Sequence, residues 1–133
     1  MPYLPTLLSA EDKLKEKFDR CRKYIEDALD YSGGTHSIED VWQSVATEKA
    51  QLHALEKSVI ITEVVDYPQI AVCRIWLAGG NLEELMRAEK SISVWAKSHG
   101  CDAMEINGRI GWKRQLKDYT ATSVVLTKDL RDE

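Results

Sequence analysis

Two glutamates, Glu63 and Glu105, stand inside otherwise apolar runs, and either carboxylate could take the proton from an amine held beside it. The competing reading is a solvated, edge-facing acid alternating with core residues, which is the commoner fate of a strand glutamate. Cys73 and Cys101 could be nucleophiles only with a base alongside. His99 is near Cys101 in sequence, which establishes no geometry, and the apolar context of both cysteines favours buried thiols.

A second group of residues could hold a ligand rather than react with it. Leu77, Ala78, Gly79, Gly80 and Asn81 lead into a helical pattern, and paired glycines at a helix N-terminus could let a phosphate or ligand backbone come close. The same residues would also make a tight strand-to-helix turn capped by Asn81. That reading is the stronger one, because a lone Gly-Gly is a weak motif and Glu83 and Glu84 beside it would repel a phosphate. Trp76 and Trp112, with Arg109, Lys113 and Arg114 clustered around the latter, suit an interface with an acidic surface or a cofactor phosphate; the basic residues could equally form a solvated helix face. Trp42 and Trp95 fall on apolar helix faces and read as core. His36, His53 and His99 show no metal-ligand spacing with the cysteines, so no metal is expected.

The elements that must position these groups follow from periodicity. Ser9 caps an acidic first turn, and Leu14, Phe18, Cys21, Ile25, Ala28 and Leu29 recur at helical spacing until Gly33-Gly34. Ser37-Ile38-Glu39-Asp40 opens a second helix with Val41, Trp42, Val45 and Ala46 inward. Gln51 to Glu56 reads as a short strand, and Val59 to Val65, rich in β-branched residues, as a longer one. A turn at Asp66-Tyr67-Pro68-Gln69 sends the chain back through Ile70 to Leu77, giving an antiparallel hairpin. Asn81-Leu82-Glu83-Glu84 starts a helix with Leu82, Leu85, Met86, Ile92, Trp95 and Ala96 as its stripe, closed by Gly100. Cys101 to Ile106 is predicted as a strand parallel to Ile70–Leu77 through a right-handed crossover. A short helix over Arg109 to Lys117 and a sheet-closing strand at Ser123 to Leu126 complete the pattern.

With 133 residues, 44% hydrophobic and 30% charged, the chain fits one domain around one core. A net charge of -4, spread along the chain, leaves no electrostatic footprint for nucleic acid. Three widely spaced cysteines do not make a disulfide frame. No segment approaches a membrane span, and the start Met1-Pro2-Tyr3-Leu4-Pro5 lacks a signal pattern, so a soluble protein made in a cytoplasm is expected.

This order of elements, from about Ser37 onward, resembles that of the GNAT-type N-acyltransferases. The segment from Glu105-Ile106-Asn107-Gly108-Arg109 to Asp118-Tyr119 is similar to a GNAT pattern in which Asn107 matches the asparagine, Ile110 the small residue and Tyr119 the terminal aromatic. The position at which many members carry a tyrosine that protonates the departing thiolate is here Arg114, whose guanidinium holds its proton at neutral pH. The family's glycine-rich diphosphate loop corresponds only to Leu77–Asn81, without its basic or amide lead residue. A further resemblance is to small GNAT-like proteins of tailed bacteriophages. It is carried by Thr62-Glu63-Val64-Val65-Asp66-Tyr67-Pro68, Leu77-Ala78-Gly79-Gly80, Trp95-Ala96-Lys97-Ser98-His99-Gly100-Cys101 and Glu105-Ile106-Asn107-Gly108-Arg109-Ile110-Gly111-Trp112.

The expected architecture is therefore α/β in the α+β sense: a GNAT-like mixed β-sheet with two N-terminal helices, a crossover helix and a short C-terminal helix. It forms a single domain over 1–133, with 1–36 a helical segment and 37–133 the sheet-containing core. The resemblance implies a phage-encoded component of the virion or its assembly, made in the bacterial host cytoplasm, which contacts other phage structural proteins and could form a homo-oligomer; no catalysis is expected, because that role needs no catalytic group the chain fails to show. No cofactor is expected on that reading. The alternative is an acetyl-CoA-dependent N-acetyltransferase using Glu63 or Glu105 as base and Leu77–Asn81 for the cofactor.

Overall fold

The computed structural model describes residues 9–107 and 112–131. Helix α1 spans Ala10–Leu29, begun by the Ser9 side chain accepting from the Asp12 N–H at 3.1 Å, with acids in its first turn. Helix α2 spans Ile38–Ala46 and opens on a reciprocal capping box between Ser37 and Asp40. Gly33 and Gly34, between the helices, take φ of 77° and 74°, the left-handed region in which a side chain is strained.

Strands β1 (Gln51–Ala54), β2 (Ser58–Asp66), β3 (Ala71–Gly80) and β4 (Ala103–Ile106) form one sheet in that spatial order. β1, β2 and β3 are antiparallel, and β4 lies parallel to β3 after the crossover helix α3 (Leu82–Ser98), as the periodicity requires. Helix α4 is the single turn Trp112–Gln115. The sheet lies between two helical layers. Phe18, Cys21 and Ile25 of α1 and Val41, Trp42 and Val45 of α2 pack on Val59, Ile61 and Leu77. Leu85, Ile92 and Ala96 of α3 pack on Ile60, Cys73 and Ile75 across the sheet.

A bulge in β3 makes the two faces compatible with the sequence. Ile61 pairs with Leu77 and Thr62 with Ile75, which leaves Trp76 as the extra residue. Without it Ile75 and Leu77 would point the same way; with it Ile75 joins the α3 layer and Leu77 the α1 layer.

Several boundaries differ from the sequence expectation. β1 stops at Ala54 and β4 begins at Ala103. β3 runs through Gly79 and Gly80, which pair with Val59 and Ser58, so these glycines are strand rather than a turn. A Cβ on Gly79 would lie 2.6 Å from the Tyr24 carbonyl oxygen of α1, and one on Gly80, at φ 119°, would run into Lys57 and Ser58. The absent side chains let α1 and the β1–β2 turn close onto the strand. Leu82, expected in the α3 stripe, is exposed. The expected last strand is not formed: Ser123–Leu126 has no helix or strand, and Val124 and Leu126 are 82% and 90% exposed. Strand propensity reflects packing against neighbours, and this segment has none around it.

Candidate functional site

The register of three strands places Glu63, Arg74 and Glu105 side by side on β2, β3 and β4. Arg74 Nη1 donates to Glu63 Oε1 at 3.2 Å and Nε donates to Glu105 Oε1 at 2.7 Å, while Nη2 reaches the Tyr67 hydroxyl at 3.4 Å. The hydrogen bond to Glu105, followed by the charges of both acids, holds the guanidinium above its usual pKa despite partial burial. The two glutamates singled out in the sequence are thus brought together, each with one oxygen already engaged. Arg74, the group joining them, was not singled out. Its signal was a lone charge inside Val72-Cys73-Arg74-Ile75, between two strands that each carry a glutamate.

Glu63 and Arg74 of this cluster floor a cleft of about 490 Å³ on the α1 side of the sheet. One wall is Ala28, Tyr31, Ser32 and Thr35 at the end of α1 and beyond; the floor continues through Trp76, Leu77, Ala78, Ile106 and Asn107. The cleft lies where β3 and β4 part company, because their pairing ends at Ile75 and Ile106 while β3 continues to Gly80. Trp76, half-buried, meets the His36 ring edge-on at 4.9 Å. Two carboxylates around one guanidinium leave the cluster with one net negative charge and free carboxylate oxygens, an arrangement suited to accepting hydrogen bonds from a cationic or amide group.

Of the remaining candidates, Leu77 and Ala78 line the cleft as strand residues and the others lie apart. Leu77 is buried in the core, and Leu77, Ala78, Gly79 and Gly80 all run in the ladder with β2. Asn81 caps α3 by accepting from the Glu84 N–H at 2.9 Å. The Glu84 carboxylate in turn accepts from the Lys57 N–H at 2.8 Å and from the Ser58 hydroxyl, and the Ser58 bond foremost depresses its pKa. The positive end of the α3 dipole is therefore met by Glu83 and Glu84 of the chain itself. Glu84 was legible only as a repelling charge, and Ser58 was not singled out.

Cys73 and Cys101 are buried, and burial pushes the Cys73 thiol up to about 11 and raises that of Cys101. His99 lies with Nδ1 2.9 Å from the Trp95 carbonyl and its ring tilted over the indole, so its engagement is with α3. Arg109 lies outside the described residues, as do the side chains of Trp112 and Lys113; Arg114 is exposed on α4. Among the described residues no cluster of His, Cys, Asp or Glu has the arrangement of a metal site. Among the same residues no helix is long and apolar enough to cross a membrane.

No protein-family model and no curated protein matches the chain. Solved structures do match. A possible acetyltransferase from Clostridium difficile 630 superposes with a TM-score of 0.62 at 10% identity, covering 93% of this chain and 95% of that one. A GNAT family acetyltransferase from Staphylococcus aureus gives 0.59 at 15%, covering 93% and 96%. A Thermus thermophilus protein gives 0.61 at 14%, covering all of both chains. At such identities the likeness concerns the fold, and the fold is GNAT-like, a mixed α+β arrangement matching these neighbours.

Proposed function

We propose that this chain is a phage-encoded GNAT-fold protein that works through protein contacts, as a virion- or assembly-associated component, without acyl transfer. The observation that carries the reading is the occupied N-terminus of α3. A diphosphate held there would need free amide hydrogens at the positive end of the helix. In this chain Asn81 takes the Glu84 amide, and the Glu84 carboxylate is anchored in front of it on Lys57 and Ser58. A diphosphate would have to displace one anion and approach another, Glu83. Arg114, at the position where the resemblance implies a proton-donating tyrosine, supports the same reading. The phage origin and the structural partners rest on the four sequence segments named above.

One feature favours the alternative, an acetyl-CoA-dependent N-acetyltransferase: the fork between β3 and β4 is open onto the cleft that holds Glu63, with Glu105 next to it on Arg74. Titration with acetyl-CoA separates the two. The proposal expects no change in melting temperature or tryptophan fluorescence up to about 1 mM, and a fixed copy number of this chain in purified virions. Saturable micromolar binding would overturn it, since a ligand at a hundred times its Kd stabilises the folded state by about 2.7 kcal/mol.

A further inference from the structure

On the α3 face of the sheet, His53 of β1 stands between two other elements. Its Nε2 lies 2.9 Å from the Thr62 hydroxyl of β2, and its ring meets the Trp95 indole of α3 edge-on, with 5.4 Å between centroids. The Thr62 side chain is completely buried, and its hydroxyl gives its one proton to Gln51 Oε1 at 2.9 Å. Toward His53 it can therefore only accept, which assigns the ring proton to Nε2 and leaves Nδ1 with a lone pair. We propose that this ring is an acid-released latch: neutral, it pins β1 to Thr62 and α3, and on taking a second proton it leaves for water and frees the strand.

β1 is suited to such control. It is a four-residue strand at the edge of the sheet, paired only with β2. Leu52 and Ala54 hold it to the α1 layer, whereas on the other face the side-chain bonds of Gln51 and His53 both run through Thr62. Its release bares the ladder edge of β2.

A charge on the seated ring meets no compensation. β2 presents Ile60 and Thr62, β3 the Cys73 thiol beside Thr62, and α3 Trp95, with the His99 ring over the same indole at 4.6 Å. Burial keeps the Cys73 thiol protonated, so none of these groups is an anion. Burial likewise lowers the His53 pKa from its ordinary 6.5. The released ring therefore takes its proton first as pH falls. The latch is whole above about 6.5 and is lost as the pH falls through the lower value of the seated ring, the opening of β1 growing about tenfold for each unit between the two.

Hydrogen exchange of the full-length protein, corrected for intrinsic amide rates, reads the opening directly. Gln51–Ala54 should open severalfold more at about pH 5 than at about pH 7.5, while the β3–β4 ladder stays protected. His53→Gln keeps a donor for Thr62 without a titrating ring and should abolish that acid response. NMR titration of the His53 ring in the native protein should give a value below 6.5, whether or not the variant folds. A ring that titrates at or above 6.5, equal opening of β1 at the two pH values, or an acid response that survives in His53→Gln overturns the latch.

Discussion

Glu84 in the first turn of α3 accepts the backbone N–H of Lys57 at 2.8 Å and so ties the crossover helix to the turn between β1 and β2. Its second partner, Ser58, is completely buried, and removing the carboxylate would leave that hydroxyl without its acceptor.

Glu84→Ala should lower stability to urea at pH 7, and the deficit should shrink on acidification. The carboxyl has a depressed pKa in the folded state, chiefly through Ser58. Its contribution is therefore complete above the ordinary glutamate value of about 4.3 and is lost as pH falls through the lower folded value. Equal deficits at pH 7 and pH 3 would show that the anchor does not act through ionised Glu84.

Gly79→Ala places a methyl group 2.6 Å from the Tyr24 carbonyl oxygen, a backbone atom inside α1. Overpacking of this kind typically costs about 1–3 kcal/mol, so a lowered melting temperature is expected. An unchanged melting temperature would mean that α1 does not pack closely on the end of β3.

Arg74→Met leaves Glu63 and Glu105 flanking an apolar side chain, at positions that ordinarily share a cation. All three groups are partly exposed, which caps the expected loss at about 1 kcal/mol. The loss should diminish between about 0.05 and 1 M salt, because screening relieves the repulsion between the two acids. A salt-independent loss would assign Arg74 a packing role only.

Tyr119→Phe removes the hydroxyl that donates to Glu89 and should cost about 1 kcal/mol. Burial, followed by the bond to Glu89, raises the phenol above its usual pKa. The phenol's contribution is thus complete below about pH 10 and is lost as pH rises toward the higher folded value. Ultraviolet titration should find this tyrosine resistant to ionisation while the fold persists; titration with the bulk tyrosines would refute the contact.

Cys21, Cys73 and Cys101 are all buried, and burial raises each thiol. A thiol reagent should label none of them within minutes in native buffer and three per chain in denaturant. Rapid labelling of Cys73 or Cys101 would reopen the nucleophile reading.

The helices were legible because their information is local. Ser9, Ser37 and Asn81 each cap a helix within three residues of themselves, and the spacing of Phe18, Cys21 and Ile25 records a single buried face. The parallel placement of β4 on β3 was legible for a related reason, since a helix of the length of α3 between two apolar runs leaves few ways back to the sheet. Ser123–Leu126 shows the limit of that reading: its residue types suit a strand, but a strand needs a neighbour that residue types cannot supply.

Sequence alone settled the order of the elements through β4 and the presence of acids in β2 and β4, which depend on neighbours a few positions away. Tertiary structure decided the rest. Arg74 became the link between Glu63 and Glu105 only through the register of three strands, and Trp76 became a bulge because the two faces of the sheet demand different layers on either side of it. Gly79 proved to be a contact point for α1, and Glu84 an anchor on a turn 27 residues away. Contacts between segments far apart in the chain are selected by the packing of the whole, and no local pattern encodes them.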